Sequence, residues 1–234
     1  MTITTRAGKG TPLTQAELDE NFTDLRDGIN QRTPNAQATT GIKVGVEGLD
    51  DYGWHDLHGL MQFDSTDPNS PSYGAYRGGI RQLQFSTTDQ LTVVYHIPHD
   101  YKMGSDLFIH AHWSHNSATL TGGSVTWGFE VAYAKGFDQA DFSAPVTTTV
   151  FQNANITPYQ HMVAEGAVSV PLGSGTQLNT NDIEVDGVIL CRFFLDSNDL
   201  TDSVSVPDPF VHFVDIHYQS TSVPTKNRAP DFWV

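Results

Sequence analysis

The hydrophobic and polar positions of this 234-residue chain change their period once along its length. Near the N-terminus, Leu18, Phe22, Leu25 and Ile29 are spaced 4, 3 and 4 residues apart, which is the seam spacing of a coiled coil. From residue 41 onward, short alternating segments are separated by clusters of Gly, Pro, Asn and Asp, as is typical of strands and turns. The pattern therefore predicts a short N-terminal α-helix followed by a mainly β domain.

The start of the helix has a clear local signal. Thr14 and Glu17 fit a capping box, and Leu13 and Leu18 occupy the positions of a hydrophobic staple. We therefore predict a helix over residues 14–30. One short helix with a single apolar stripe is marginal alone in water, so the stripe needs a partner.

The partner of the helix is either its own β domain, a sister copy or another protein. Residues 31–40 read as a polar linker, which would leave the stripe uncovered and favours an intermolecular partner. The predicted organisation is an arm, anchoring helix and linker over 1–40, and a β domain with a C-terminal docking tail over 41–234. A seam this short cannot hold copies together alone, so the β domain is expected to supply most of any trimer interface.

The β domain is predicted to be an antiparallel β-sandwich of the jelly-roll type. Its alternation is clearest over 124–134 and 210–219, and the segment 188–195 is apolar enough for a central strand. Residues 64–79 and 196–208 are predicted to be long loops. Thr121-Gly122-Gly123 is predicted to be a hairpin turn, and Phe232-Trp233-Val234 is expected to dock on a surface. The predicted strands are 42–46, 79–86, 91–97, 106–114, 124–134, 146–152, 161–170, 184–195 and 210–219.

The charge narrows the classes of partner. A formal net charge of -15 and a pI of about 4.7 disfavour binding to nucleic acid. The chain has neither a polybasic run for an anionic membrane nor an apolar run long enough to span a bilayer, so no membrane insertion is expected. The single cysteine, Cys191, lies among apolar residues and is predicted to be a buried thiol. A soluble protein made in a cytoplasm is expected.

Histidine is the catalytic residue type that clusters. On a strand, His110 and His112 share one face, and His217 from another strand could complete a site for a divalent metal, as in cupin-type metalloenzymes. The Glu or Asp that such a motif carries shortly after its second histidine is missing after His112. The alternative, to which we give more weight, is that these histidines form hydrogen-bonded pairs on a half-buried face or line a subunit interface. No cofactor is therefore predicted, with the metal kept as an alternative.

Other candidate chemistry is weaker. Two acidic loops, one at Asp64 and Asp67 and one at 196–202, could hold calcium but are more commonly solvated. Trp54, Trp113 and Trp127 could form a platform for sugars, although core packing is the commoner use. A nucleophile elbow and a phosphate-binding glycine loop are both missing, so a conventional enzyme is not expected.

Several segments resemble known proteins. The stretch from Leu13 to Phe22 (LTQAELDENF) resembles the N-terminal motif of many tail-fibre and appendage proteins of tailed bacteriophages. The β domain resembles a group of phage virion proteins in its segments 96–101 (HIPHDY), 110–113 (HAHW), 185–188 (VDGV), 215–218 (DIHY) and 225–232 (TKNRAPDF).

The resemblance implies a trimeric structural protein of the virion, assembled in the host cytoplasm. It would be a tail fibre, a tail appendage or a head-decoration protein, attached through the N-terminal helix to other tail, adaptor or capsid proteins. Two alternatives stay open from the sequence. They are a receptor-binding tip that takes a host surface glycan, and a metal-dependent cupin-like enzyme.

Overall fold

The computed structural model describes residues 10, 12–32, 53–62, 64 and 66–221, with side chains of the helix as far as Thr23. The helix, α1, spans Gln15–Arg32 and so agrees with the predicted one. The strands are β1 (Trp54–His58), β2 (Leu60–Gln62), β3 (Ser72–Arg77), β4 (Ile80–Gln84), β5 (Gln90–His96), β6 (Phe108–Ser114), β7 (Leu120–Gly122), β8 (Ser124–Ala134), β9 (Val146–Asn153), β10 (Met162–Ala167), β11 (Ser169–Val170), β12 (Leu178–Asn179), β13 (Val188–Asn198), β14 (Thr201–Asp202) and β15 (Phe210–Gln219).

Two antiparallel sheets form the β domain. The first sheet has the order β10-β6-β15-β4-β3, with β1 also paired to β15. The second sheet has the order β2-β5-β13-β8-β9. The eight main strands, β10-β6-β15-β4 in one sheet and β5-β13-β8-β9 in the other, follow the strand order of a jelly roll. The predicted fold class is confirmed.

The core lies between the two sheets. Alternate residues of β8 point inward, as predicted, and Trp127 of β8 meets Trp113 of β6 across the sandwich with ring centroids 6.0 Å apart. Phe193 of β13 stacks on Trp127 at 5.1 Å. Cys191 is fully buried in the same layer, which confirms the predicted thiol environment.

The central position of β13 is also confirmed, but its burial differs from the prediction. The strand pairs with β5 on one side and β8 on the other. Its inward residues Ile189, Cys191 and Phe193 are fully buried, whereas Leu190 on the opposite face is exposed. The strand is therefore buried on only its inner face, because in the described part of the chain nothing covers the outer face at Leu190.

A β-bulge changes the predicted alternation in β15. The pairing with β6 shifts between Val211 and Phe213, so that His212 is the extra residue. Val211 and Val214 consequently face the core between the sheets. Phe210 and His212 do not belong to this row of core-facing residues. A bulge inserts one residue into a strand and moves the following side chains to the other face. The alternation predicted over 210–219 is therefore interrupted at His212.

Three local predictions were also wrong. Strand β3 occupies part of the loop predicted over 64–79, because Ser72–Arg77 pairs with β4. Gly122 and Gly123 form a turn with positive φ, but β7 pairs with β14 and not with β8, so the turn does not close a hairpin. The predicted strand over 161–170 divides into β10 and β11.

Other predictions fall on residues outside those described. These are the strand over 42–46, residues 33–40 of the linker, the domain boundary at 40/41 and the docking tail at 232–234, whereas residues 31 and 32 of the predicted linker belong to α1. Among the described residues, α1 is not apolar enough over its length to qualify as a membrane span.

Candidate functional site

A polar row crosses the outer face of the first sheet. Glu165 on β10 lies directly opposite His110 on β6, and His110 lies opposite Asp215 on β15. Asp215 in turn lies opposite His58 on β1. Directly opposed residues of antiparallel strands point to the same face. The row Glu165–His110–Asp215–His58 therefore alternates acid and histidine across four strands.

The carboxylate of Asp215 lies at the centre of the cluster. Asp215 is 2% exposed and His110 is 2% exposed, so both are almost fully buried. Asp215 Oδ1 is 3.2 Å from His112 Nε2 and 3.5 Å from His110 Nδ1. Among the described residues, its ion-pair partners are these two histidines, so no lysine or arginine neutralises the buried carboxylate there.

His110 makes one strong contact and one weak contact. Its Nε2 is 2.7 Å from Glu165 Oε2, a short hydrogen bond to a carboxylate. Its Nδ1 is buried and makes no hydrogen bond, because the separation of 3.5 Å from Asp215 Oδ1 is too long for good geometry. A carboxylate accepts hydrogen bonds, so the contact with Glu165 places an N–H of His110 on Nε2.

His217 packs against the same cluster. The rings of His217 and His110 have centroids 3.8 Å apart. His217 Nε2 is paired with Asp56 Oδ1, and this hydrogen bond is the main cause that lowers the pKa of Asp56, with burial opposing it. His217 Nδ1 is buried without a hydrogen-bond partner.

A second set of contacts extends from His112 along the sheet. His112 Nδ1 is 2.8 Å from His161 Nε2, and the rings of His161 and His212 lie 6.2 Å apart. His212 Nε2 is 2.9 Å from Ser114 Oγ, which is 2.8 Å from the hydroxyl of Tyr76. Burial is the main cause that lowers the pKa of both His161 and His212, and the neighbouring histidines add to it. Both imidazoles are therefore favoured in their neutral form.

The structure thus brings the sequence-predicted residues His110, His112 and His217 together. The rings of His110 and His217 meet edge-on, whereas the hydrogen bonds of His110 and His112 go to other residues: His110 to Glu165, and His112 to His161 and Asp215. Sequence reasoning missed the carboxylates, since Asp215 and Glu165 come from neighbouring strands. One signal for Asp215 was available, because Asp215 and His217 are two residues apart and share a face of β15.

Other histidines lie apart from this cluster. His96 Nε2 and His99 Nε2 are 3.3 Å and 3.1 Å from Asp186 Oδ1. His115 Nε2 is 2.7 Å from the carbonyl oxygen of Asn155. These contacts tie loops and strand ends together.

The sugar platform suggested by the tryptophans does not form as such. Trp113 and Trp127 are completely buried between the sheets. Trp54 is half-buried and packs edge-on against Phe108, with centroids 5.5 Å apart. Two of the three rings are therefore core residues, which is the commoner use of tryptophan on alternating strands.

The carboxylates of the acidic loops accept backbone hydrogen bonds that stabilise local turns. Asp64 accepts a hydrogen bond from Thr66 N at 2.8 Å, and Asp67 accepts one from Asn69 N at 2.9 Å. Asp202 accepts one from Val204 N at 2.8 Å. These geometries are Asx-turns, in which a carboxylate bonds its own backbone two residues on.

The helix start matches the predicted capping box. Thr14 N donates to Glu17 Oε2 at 2.7 Å, and Glu17 N donates to Thr14 Oγ1 at 3.3 Å. Leu18 and Phe22 of the predicted seam are 42% and 69% exposed. The side chains of Leu25 and Ile29 lie outside those described, and the staple between Leu13 and Leu18 stays a prediction.

Comparisons with known proteins give little support for a function. No protein-family model and no curated protein matches the sequence. Among solved structures, the chain is similar to the CBM22-1–GH10 modules of Clostridium thermocellum endo-1,4-beta-D-xylanase 10B complexed with xylohexaose, at 13% identity and a TM-score of 0.32. The match covers 71% of this chain and 26% of the xylanase chain, so it spans about a quarter of that protein. A TM-score this low supports no argument about fold or function.

Proposed function

We propose that the chain is a structural protein of a bacteriophage particle, a tail fibre, tail appendage or head-decoration protein that assembles as a trimer. The observation that carries this proposal is a helix with a closed N-terminal cap and exposed apolar side chains. The resemblance of the segment from Leu13 to Phe22 to phage appendage proteins supports the same proposal.

The cap at the start of α1 is made by the helix's own residues, but the apolar stripe of α1 needs a surface to pack against. The reciprocal bonds of Thr14 and Glu17 satisfy two of the backbone and side-chain groups at the start of α1. Leu18 and Phe22, four residues apart on one face, remain exposed. Because short isolated helices are marginal in water, most of their stability comes from packing an apolar face. The stripe is therefore a surface for a sister copy or for another protein of the particle.

The second sheet offers a further contact surface between copies. Leu60 lies opposite Val94, Val94 lies opposite Leu190, and Leu190 lies opposite Ala132. These residues form an apolar row across β2, β5, β13 and β8 on the face away from the core. Leu60 and Leu190 are exposed, and Val94 and Ala132 are half-buried. Exposed apolar rows of this kind are typical of interaction sites.

Sedimentation velocity of the purified full-length chain tests the proposal. We expect the mass of three chains for the natural sequence and dissociation towards the monomer for Leu190→Asp, because a charge would be buried at the contact. Val204→Asp is the matched control, since Val204 is exposed and lies off the apolar row. It is expected to leave the mass unchanged.

A pair of helix variants tests the anchor separately. Leu18→Ser combined with Phe22→Ser should weaken the trimer, so that its dissociation occurs at a higher protein concentration. Asp19→Ser combined with Glu20→Ser changes exposed polar residues of the same helix and should not weaken it. A natural sequence that sediments as a monomer, with neither set of apolar substitutions altering it, would contradict the proposed trimer.

A further inference from the structure

Two imidazole nitrogens face the buried oxygen Asp215 Oδ1, and only that of His112 is hydrogen-bonded to it. His110 Nδ1 has no hydrogen-bond partner and faces Asp215 Oδ1 at 3.5 Å. His112 Nε2 faces the same oxygen at 3.2 Å. A buried carboxylate is costly unless a positive charge or hydrogen bonds compensate it. A cation among these three atoms would supply that compensation.

The two separations measured from Asp215 Oδ1 fit a tetrahedral metal ion. Zinc binds imidazole nitrogen at about 2.0–2.1 Å and carboxylate oxygen at about 2.0–2.2 Å, so two ligand atoms at a tetrahedral angle lie about 3.3–3.5 Å apart. The separations of 3.2 Å and 3.5 Å from Asp215 Oδ1 are close to this value. The three residues also fall within a set whose ligand atoms all lie within 4.8 Å of one another.

The outer contacts of both imidazoles suit metal ligands. A metal-bound histidine usually donates its other ring N–H to a carboxylate or another acceptor, which fixes its tautomer. Glu165 holds this position for His110, at 2.7 Å from Nε2. His161 holds it for His112, at 2.8 Å from Nδ1.

We propose that His110 Nδ1, His112 Nε2 and Asp215 Oδ1 form a zinc site on the outer face of the first sheet, with Glu165 positioning His110 and a fourth position left for water. This ligand set replaces His217 of the sequence prediction with Asp215. His217 Nε2 is already paired with Asp56, and the group of ligand atoms formed by His110, His112 and Asp215 does not include His217. The proposal rests on these contacts and does not depend on the proposed function.

The test is calorimetric titration of Zn²⁺ into full-length protein that carries no histidine tag and has been freed of metal with a chelator. We expect one Zn²⁺ per chain for the natural sequence. Asp215→Asn and His112→Gln should each weaken binding by more than about tenfold, and Glu165→Gln should weaken it by roughly 10- to 100-fold through the loss of orientation. His99→Gln is the matched control, because His99 lies outside the cluster, and should bind as the natural sequence does.

Two further measurements distinguish a loss of zinc binding from a loss of folding and report the geometry of the bound ion. Far-ultraviolet circular dichroism without metal shows whether Asp215→Asn is folded, and His112→Gln serves if it is not, because the side chain of His112 is partly exposed. Co²⁺ added in place of Zn²⁺ should give the strong visible absorption of a tetrahedral ion in the natural sequence and lose it in the ligand variants. Failure of the natural sequence to bind Zn²⁺, or equal binding by folded Asp215→Asn or His112→Gln, would overturn the proposal.

Discussion

The close approach of Gly123 to the backbone of the 199–201 segment predicts a strongly destabilising substitution. Gly123 has φ of +97°, and a Cβ built on it would lie 2.6 Å from Leu200 Cα and 2.7 Å from Thr201 N, with the carbonyl oxygen of Asp199 closest of all. These neighbours are backbone atoms, so they cannot rotate away. The segment is also fixed by hydrogen bonds between Ser124 and Asp199 in both directions.

The expected loss for Gly123→Ala combines two costs and one offset. A left-handed backbone conformation costs an alanine about 1–2 kcal/mol. Forcing a methyl group into filled space costs about 1–3 kcal/mol. The reduced freedom of the unfolded chain returns about 0.4–1 kcal/mol. We therefore expect the free energy of unfolding to fall by about 3 kcal/mol, within a range of about 1–5 kcal/mol.

Two control glycines separate these contributions. Gly104 has φ of +80° but nothing within 4 Å of an added Cβ, so Gly104→Ala carries the backbone cost alone. Gly175 has open space and no positive φ, so Gly175→Ala should be neutral or slightly stabilising. Urea unfolding followed by tryptophan fluorescence, at one protein concentration for all variants, measures the differences. Equal losses for Gly123→Ala and Gly104→Ala would refute the close backbone approach.

Two further predictions concern Asp202 and Cys191. Hydrogen bonds, the largest from Ser117, lower the pKa of Asp202 from 3.8 to about 2, so the stability that this carboxylate contributes is complete above pH 4 and is lost as the pH falls towards 2. The difference in urea midpoint between the natural sequence and Asp202→Asn should shrink over that range, and a constant difference would contradict this. Burial raises the pKa of the Cys191 thiol, so a thiol reagent should label it only in denaturant, and rapid labelling of the native protein would contradict its burial.

The strands with strong alternation were predictable from sequence because their large apolar residues occur at every second position. The bounds of β8 agree with the prediction at both ends for this reason. Strand β3 was missed because its sequence, SYGAYR, follows a run of Pro, Ser and Asn and carries little apolar alternation. It forms through pairing with β4, a tertiary contact that the local sequence of β3 does not predict.

The candidate site was predictable only in part. The pairing of His110 with His112 follows from the strand period, which is a local property. The position of Asp215 opposite His110 depends on the register between two strands about a hundred residues apart, and the bulge at His212 shifts that register. A single residue of slip would have turned Asp215 towards the core, so no local pattern could have fixed the ligand set.

The histidine cluster and the apolar row lie on different outer faces of the sandwich, and this bears on how the two proposals relate. The outer face of the first sheet holds the polar row through His110 and Asp215. The outer face of the second sheet holds the apolar row through Leu190. The two rows lie on different sheets, separated by the aromatic core around Trp127. A contact between copies through the second sheet would therefore leave the histidine face of the first sheet uncovered by that contact. For a contact of this kind neither proposal requires the other, so a failure of one leaves the other to be judged on its own measurements.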